Sequence, residues 1–269
     1  MTTFHTLASS SAGNCMLLSC DNTHILIDAG ISCRRISQSL QQLGLKAADL
    51  SAILITHEHS DHTAGLKTLL KGVELPVYTS PGTALALCAQ LPARAAAFHP
   101  VSVGAPFSLG GCRITPFSTL HDSAESIGFR IDTMDGSVGI LTDSGCIPAA
   151  APKLLQGVEL LVLESNYDEA SLLSGPYPEY LKQRILSQRG HLSNHMAADF
   201  AAEMARCGTA AVWLAHLSKE NNLPAVAEET VSRRLRQQNL SPELYIAPRD
   251  EISKEFQLCR RSPSCASEN

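Results

Sequence analysis

Residues 54–62 read Leu54-Ile55-Thr56-His57-Glu58-His59-Ser60-Asp61-His62. This stretch places three histidines and an aspartate within six residues. The residues just before His57, 51–56, are mostly apolar and rich in β-branched side chains, so they predict a strand that ends at Thr56. The polar turn after a buried strand is a position from which side chains can converge. Histidine and aspartate at this spacing are typical of metal chelation, which we favour over a histidine-rich surface turn.

The turn is expected to divide its side chains between two cations. His57 and His59 can converge on one ion, while Asp61 and His62, displaced by the start of the next helix, can face a second. Four ligands from one loop exceed what a single open catalytic ion usually takes. We therefore expect two ions about 3.5–4 Å apart, as in dinuclear hydrolytic sites.

Two ions need further ligands, and the chain has suitable residues after other predicted strands. His121, Asp143 and His216 each follow an apolar run at the point where it gives way to polar or glycine residues. Taken alone, a histidine or aspartate after a strand is more often a cap or a surface residue. Their joint occurrence after three separate strands predicts that they converge with the loop at 57–62.

The order of these motifs resembles the metallo-β-lactamase superfamily across nearly the whole chain. The pattern H-x-H-x-D-H is followed by a histidine, an aspartate in Thr-Asp-Ser-Gly and a final histidine, and an earlier aspartate, Asp28, closes the apolar run 25–27. Four further segments resemble the YycJ (WalJ) subgroup of that superfamily: 9–14, 164–168, 190–194 and 216–222. Members of that subgroup are regarded as DNA exonucleases related to ribonuclease Z and other phosphodiesterases. The resemblance does not imply antibiotic hydrolysis.

The resemblance also implies how the ligands are shared between two divalent metal ions per chain. Seven side chains are expected to hold them: His57, His59 and His121 on one ion, Asp61, His62 and His216 on the other, and Asp143 between both. Asp28 would be structural and would hold the ligand loop by hydrogen bonds. Imidazole-rich ligation suits Zn²⁺, while a site with carboxylates and no thiolate also admits Mn²⁺ or Fe²⁺.

Composition limits the class of protein. With 269 residues, of which 44% are apolar, the chain can bury a large core. We expect a single domain over residues 1–259 and a disordered tail over 260–269. No segment approaches the roughly 20 apolar residues of a membrane span, and the first residues lack the features of a signal peptide, so we expect a cytoplasmic protein with no membrane partner. The nine cysteines contain no Cys-x-x-Cys pair and are expected to be reduced core thiols.

Hydrophobic periodicity predicts two βα halves. Strands are predicted near 3–8, 15–19, 24–28, 51–56, 76–80, 106–109, 112–120, 126–132, 137–142, 159–164, 210–215 and 244–247. Helices are predicted near 33–43, 66–70, 81–91, 148–156, 178–189, 194–206 and 223–238. Residues 126–142 predict a hairpin whose turn is Met134-Asp135-Gly136-Ser137. The expected fold class is α/β, a four-layer αββα sandwich in which two mixed β-sheets are flanked by helices.

A phosphodiester is a good substrate for such a centre. Two divalent cations favour ionisation of a bound water and balance negative charge at phosphorus, so Asp61 and Asp143 count as catalytic through the ions they hold. The leaving alkoxide needs a proton. His191 is the candidate general acid, since it lies outside the seven ligands in a loop before an alanine-rich helix. A structural histidine is the alternative that stays open.

Further residues are candidates to contact a substrate phosphate: Ser10, Ser11, Asn14, Asn166, Ser193 and Asn194. Ser193 or Asn194 can cap the helix that follows, and a capped helix start presents backbone N–H groups to an anion. The small residues of the loop at 9–14 let backbone amides approach an anion. An ordinary helix cap and an ordinary turn are the alternatives.

Net charge argues against bulk attraction to nucleic acid. The chain has 21 basic and 26 acidic residues, a net charge of −5, so binding must use a local patch together with the metal ions. Arg233, Arg234 and Arg236 form one candidate patch late in a predicted helix. A solvated helix end is the alternative, since cations also suit the helix dipole there.

Three functions are consistent with the pattern. The leading one is a 5′-to-3′ DNA exonuclease, by resemblance to the subgroup, with a nucleic acid partner and DNA preferred over RNA. The second is a phosphodiesterase acting on small cyclic or nucleotide substrates, and the third is a glyoxalase II-like thioester hydrolase. A basic cleft would favour nucleic acid, and a closed neutral pocket would favour a small substrate. The oligomeric state is left open, with a homodimer among the options.

Overall fold

The computed structural model describes residues 1–259, in which the chain forms fourteen strands and nine α-helices. The strands are β1 (Thr2–Ala8), β2 (Cys15–Cys20), β3 (Thr23–Ile27), β4 (Ala52–Leu54), β5 (Val77–Thr79), β6 (Phe98–Pro100), β7 (Phe107–Leu109), β8 (Cys112–Ser118), β9 (Ile127–Asp132), β10 (Ser137–Leu141), β11 (Leu160–Glu164), β12 (Ala211–Ala215), β13 (Glu243–Ile246) and β14 (Phe256–Leu258). The helices are α1 (Cys33–Gln42), α2 (Ser60–Thr63), α3 (Leu66–Gly72), α4 (Pro81–Gln90), α5 (Ala151–Leu155), α6 (Glu169–Ser174), α7 (Glu179–Leu186), α8 (Asn194–Arg206) and α9 (Pro224–Gln237). Short 3₁₀ helices occupy Ala47–Asp49 and Pro92–Ala97.

The strands form two seven-stranded mixed sheets of the same design. The first has the order β14-β1-β2-β3-β4-β5-β6 and the second has the order β13-β12-β11-β10-β9-β8-β7. The strands from β3 to β6 and from β10 to β13 are parallel, and the remaining pairs are antiparallel. Parallel strands end at the same edge of a sheet, so the loops after β3, β4, β10, β11 and β12 are brought to common edges.

Side chains alternate between the two faces of each sheet, so each sheet contributes to two hydrophobic cores. In β3, Ile25 and Ile27 pack between the sheets, whereas Leu26 packs against helices on the outer face. The inter-sheet core also contains Phe4 and Trp213, whose ring centroids lie 5.8 Å apart in a T-shaped contact. Helices α1, α3 and α4 cover one sheet, and α5, α8 and α9 cover the other. The predicted four-layer αββα sandwich is therefore confirmed.

Most predicted helices and strands are present, and the elements that were not predicted are short. Residues 126–142 form the expected hairpin of β9 and β10, closed by a hydrogen bond from Thr133 N to Gly136 O of 2.8 Å. The strand expected to end at Thr56 ends at Leu54, because the next residues turn into the ligand loop. Helices α2 and α6 and strands β6 and β14 were not predicted, and none of the four is longer than six residues.

The structure also bears on the predictions about membrane spans, the C-terminal tail and the cysteines. Within residues 1–259, no helix combines the length and the apolar character that crossing a membrane requires. The predicted tail at 260–269 lies outside the described residues. The eight cysteines of the described part are free thiols, and three of them, Cys15, Cys20 and Cys112, are buried. Burial, together with the neighbouring Cys20, raises the pKa of Cys112 to about 12, so this thiol is unreactive near neutral pH.

Candidate metal centre

The ligand loop is anchored at both ends by Asp28, which follows β3. Its Oδ1 accepts hydrogen bonds from Thr56 N at 2.9 Å and Thr56 Oγ1 at 3.1 Å. Its Oδ2 accepts from His62 Nδ1 at 2.7 Å, and all three residues are buried. Asp61 lies with His62 in the short helix α2, just before the helix predicted at 66–70. The hydrogen bonds expected of Asp28 are therefore present, and they fix the loop between Thr56 and His62.

Three non-glycine residues adopt a left-handed backbone conformation where parallel strands end. They are Asp28 after β3, Asp143 after β10 and His216 after β12, with φ of 58°, 55° and 57°. Side chains other than glycine rarely take this conformation, because the Cβ atom crowds the backbone. Such strain persists where surrounding contacts impose it, and it is frequent at functional sites.

All seven residues predicted as ligands lie together. Nitrogen atoms of one group lie within 4.8 Å of one another: His57, His59 and His121. Donor atoms of the second group meet the same limit of 4.8 Å: Asp61, His62, Asp143 and His216.

Asp143 lies between the two groups. One of its oxygens, Oδ2, is 3.3 Å from His62 Nε2, and the other, Oδ1, is 3.5 Å from His216 Nε2. Oδ1 also lies 3.8 Å from His121 Nε2, in the first group. The position of this carboxylate is therefore suited to contact ions in both groups.

Outer hydrogen bonds set the orientation of the histidines. In three of them Nδ1 is held by an acceptor outside the cluster: His62 by Asp28 at 2.7 Å, His216 by Glu164 at 2.8 Å, and His121 by Gly190 O at 3.0 Å. A ring that donates its Nδ1 proton carries its lone pair on Nε2. Each of these Nε2 atoms faces the cluster, which is the arrangement that metal-binding histidines require.

Two buried atoms of the cluster lack hydrogen-bond partners among residues 1–259. They are His57 Nε2 and Asp143 Oδ2, and the second of these lies 3.3 Å from His62 Nε2 without forming a hydrogen bond to it. A buried polar atom without a partner costs free energy, and a coordinated cation would satisfy both atoms. Imidazole and carboxylate donors without thiolate suit Zn²⁺, Mn²⁺ or Fe²⁺. The clusters thus fit a dinuclear centre of divalent ions.

The histidines and carboxylates of the cluster shift one another's pKa. Burial alone would lower the pKa of His62, but the neighbouring carboxylates, Asp143 first among them, raise it well above its usual value. Burial alone would raise the pKa of Asp143, but His216 and His62 hold it well below its usual value. The pKa of His216 rises to about 10, because Asp143 and other carboxylates outweigh the effect of burial. Without a cation, carboxylate and imidazolium therefore stabilise one another.

His191 lies at the mouth of the cluster. Its Nδ1 is 2.7 Å from Glu164 Oε1, and its side chain is 19% exposed. Its ring centroid lies 5.0 Å from that of His121 and 5.3 Å from that of His216. The residue is thus next to two proposed ligands and open to solvent.

Glu164, which ends β11, is a site residue that the sequence reasoning missed. Its Oε1 accepts hydrogen bonds from His191 and His216, and its Oε2 accepts from the amides of Ser144 and Leu192, both at 3.1 Å. Burial alone would raise its pKa, but His191 lowers it, so the carboxylate is ionised at neutral pH. A carboxylate at the end of an apolar run was the signal available, and it is the same signal that singled out Asp143.

The candidates near α8 have structural contacts. Ser193 and Asn194 are fully buried. Ser193 accepts a hydrogen bond from Met196 N at 3.3 Å and caps the helix. Asn194 exchanges hydrogen bonds with Asn222 at 3.0 and 2.9 Å. Asn166 is buried and donates to His216 O at 2.8 Å. These side chains are buried and hydrogen-bonded within the protein, and their contact with a substrate phosphate stays a prediction.

The loop at 9–14 also uses its polar groups internally. Ser10 N donates to Asn14 Oδ1 at 3.1 Å, and Ser10 Oγ accepts from Ala12 N at 3.2 Å. Asn14 N donates to Asp61 O at 2.8 Å. Ser10 and Asn14 are buried, whereas Ser11 is exposed. Of the three phosphate candidates in this loop, Ser11 alone is open to a ligand, and the loop chiefly supports Asp61.

Two of the three arginines late in α9 are held in ion pairs, and within residues 1–259 Arg233 has none. Arg234 forms an ion pair with Asp199, and Arg236 forms one with Glu229. This end of α9 precedes β13, whose first residue pairs with the first residue of β12. The helix end therefore lies at the edge opposite His216, and the solvated helix end is the better interpretation.

Comparisons with known proteins agree with this architecture. The family model of the β-lactamase superfamily domain matches residues 23–217. Exodeoxyribonuclease YycJ of Bacillus anthracis is 35% identical over 233 residues, which cover 86% of this chain and 88% of that protein. Exodeoxyribonuclease WalJ of Streptococcus pneumoniae strain D39 is 34% identical over 263 residues, 97% of this chain and 94% of that protein.

A solved structure shares the fold. The metallo-β-lactamase fold protein YhfI from Bacillus subtilis superposes with a TM-score of 0.74 over 95% of this chain and 99% of that chain, at 19% identity. The family match, the two relatives and the arrangement of sheets and donors lead to the same assignment. This chain belongs to the metallo-β-lactamase superfamily.

Proposed function

We propose that this protein is a dinuclear-metal-dependent phosphodiesterase that degrades DNA from the 5′ end. The observation that carries the proposal is the pair of His/Asp clusters joined by Asp143. Two relatives at 34–35% identity, each aligned over most of both chains, bear the name exodeoxyribonuclease and support DNA as the substrate. The 5′-to-3′ direction rests on the subgroup that the motifs resemble.

The proposed ligands are the seven residues predicted from the sequence. His57, His59 and His121 would hold one ion, Asp61, His62 and His216 the other, and Asp143 both. When bound, two divalent ions supply positive charge that favours ionisation of water and stabilises negative charge at phosphorus. Zn²⁺ and Mn²⁺ are the proposed metals, with Fe²⁺ the further option that this donor set allows.

The protein's own groups orient these ligands. Asp28 accepts the Nδ1 proton of His62, and Glu164 accepts that of His216, so each ring presents Nε2 to the cluster. Both carboxylates are fully buried, which strengthens their hydrogen bonds and keeps the rings from rotating. Their proposed role is to position the ligands before any substrate arrives.

His191 is the proposed source of the proton for the leaving alkoxide. Glu164 accepts its Nδ1 proton at 2.7 Å, so a second proton can be held only at Nε2. The ring is partly exposed beside His121 and His216, where a bound phosphodiester would lie. Proton transfer from Nε2 would neutralise the alkoxide as it leaves.

The proposal includes a cytoplasmic location, since a DNA substrate and a set of free cysteines both suit that compartment. The chain carries a net charge of −5, so DNA must be held by local groups near the centre.

End-labelled substrates test the proposed function. Metal-loaded protein would be assayed on single-stranded DNA, duplex DNA, RNA and a bis-aryl phosphodiester, with His216→Ala as the inactive control. We expect mononucleotides released from the 5′ end of DNA. Cleavage of RNA in preference to DNA, or of the small ester alone, would contradict the proposal, and the latter would indicate a small-molecule phosphodiesterase.

A further inference from the structure

Arg189 lies beside the proposed centre with one edge of its guanidinium anchored. Its Nε donates to His121 O at 3.0 Å, and its Nη2 donates to Ser123 O at 3.4 Å. Nε and Nη2 form one edge of the planar group. On the other edge, Nη1 and the second N–H of Nη2 have no hydrogen-bond partner within residues 1–259. The residue is exposed. A pair of donors thus faces solvent next to a proposed ligand.

The charge of Arg189 is not compensated nearby. The adjacent acidic residue, Asp122, is in an ion pair with Arg184 and lies 3.4 Å from His121 Nε2. In the described part of the chain, no carboxylate lies within 4.0 Å of the Arg189 guanidinium. An arginine with a free donor edge and an unmatched charge is suited to bind phosphate through two hydrogen bonds.

The loop that carries Arg189 is held in place by close backbone contacts. A Cβ atom at Gly190 would lie 2.0 Å from Ile185 O, and one at Gly145 would lie 2.3 Å from Ser187 O. Arg189 N donates to Ser187 Oγ at 3.3 Å. The position of the arginine is therefore set before a ligand binds, which lowers the entropy cost of binding.

We propose that Arg189 binds a backbone phosphate of the substrate strand, next to the bond that is cut. This inference rests on the proposed function and extends it. It names a group that lets a chain of net negative charge hold a polyanion at the metal centre. A DNA strand has phosphates beyond the one that is cut, whereas a bis-aryl phosphodiester has only one. Loss of Arg189 should therefore affect the DNA substrate and not the ester.

Three variants test the role of Arg189. Arg189→Ala removes the charge and the donor edge, and Arg189→Lys keeps the charge alone. Arg233→Ala is the matched control, since Arg233 is exposed on α9, has no ion pair within residues 1–259 and lies at the opposite edge of the sheet. KM and kcat would be measured on single-stranded DNA and on the bis-aryl ester, together with metal content.

We expect Arg189→Ala to raise KM for DNA about tenfold or more, the usual scale for a lost charge-assisted hydrogen bond. The slope of log affinity against log salt should flatten by about 0.7, the share of one phosphate in a single strand. Arg189→Lys should raise KM by less and leave the slope unchanged. Activity on the ester and metal content should stay at wild-type values, and Arg233→Ala should change nothing.

Binding is also measured without cleavage, by fluorescence anisotropy of labelled single-stranded DNA with no metal added. If Arg189→Ala binds DNA as tightly as Arg233→Ala does, the inference is wrong. It is also wrong if Arg189→Ala lowers metal content or cuts activity on both substrates equally, because the arginine would then only support the His121 loop. A wild-type protein that binds DNA through Arg189 but does not cleave it would refute the proposed function and leave this inference standing.

Discussion

Glu164 Oε1 accepts a hydrogen bond of 2.8 Å from His216 Nδ1, and both side chains are buried. The same oxygen accepts a hydrogen bond of 2.7 Å from His191. One carboxylate therefore joins a proposed metal ligand to the proposed general acid. Changing the carboxylate should affect both metal binding and proton donation, whereas changing His191 should affect proton donation alone.

Replacing Glu164 by Gln should weaken both metal binding and turnover. A glutamine offers a single acceptor oxygen and no charge, so it cannot bind both histidines and both backbone amides as the carboxylate does. Metal affinity should fall by about 10–100-fold, measured by chelator competition, as for other groups that orient a ligand. The matched control is Glu229→Gln, on the exposed face of α9. Unchanged affinity and turnover would show that Glu164 has no such role.

Replacing His191 by Ala should lower kcat on DNA by about 100-fold or more, because the leaving alkoxide loses its proton donor. Metal content should stay intact. The loss should be much smaller on a nitrophenyl phosphodiester, whose leaving group needs no proton. His195→Ala is the control, since His195 is exposed and paired with Glu169. Equal losses on both substrates, or none, would reject the acid role.

Replacing Asp28 by Asn should reduce metal affinity while leaving the fold intact. The variant keeps the shape of the side chain but removes the charge that holds His62 Nδ1. We expect a loss of about 10–100-fold in affinity. Competition with a chromogenic chelator measures it, against Asp199→Asn as an exposed control. Wild-type affinity in the Asp28 variant would mean that His62 is oriented by other contacts.

Replacing Gly190 by Ala should destabilise the protein by about 1–3 kcal/mol, the usual cost of forcing atoms into a filled space. The added Cβ would lie 2.0 Å from Ile185 O. Gly72→Ala is the control, because a Cβ at Gly72 meets nothing within 4 Å and alanine suits a helix better. In urea denaturation, Gly190→Ala should have a lower midpoint than the wild type, and Gly72→Ala should have a midpoint at or above that of the wild type. Similar midpoints would show that the loop before His191 moves freely.

Local sequence was enough to predict most of the fold and the residues that gather at the candidate metal centre. Ile25, Leu26 and Ile27 alternate between the two cores, so their strand is visible from periodicity alone. The proposed ligands could be picked out because they follow such strands. Strand β6 was missed because Phe98 is its only buried residue, and β14 because its pairing with β1 joins the two ends of the described chain.

Long-range contacts that no shared motif indicated could not be predicted from one sequence. Glu164 contacts two histidines that lie 27 and 52 positions further along the chain. Asn194 looked like a group open to a ligand, yet it is buried by Asn222 from a distant loop. Whether a polar residue faces solvent or another polar residue depends on how the sheets pack, and local patterns carry no information about that packing.

Anomalous diffraction from metal-reconstituted crystals tests the central claim most directly. We predict two peaks per chain. One should lie within about 2.0–2.2 Å of donor atoms of His57, His59 and His121, and the other within that distance of Asp61, His62 and His216, with Asp143 contacting both. A single peak, or peaks away from these seven side chains, would contradict the account.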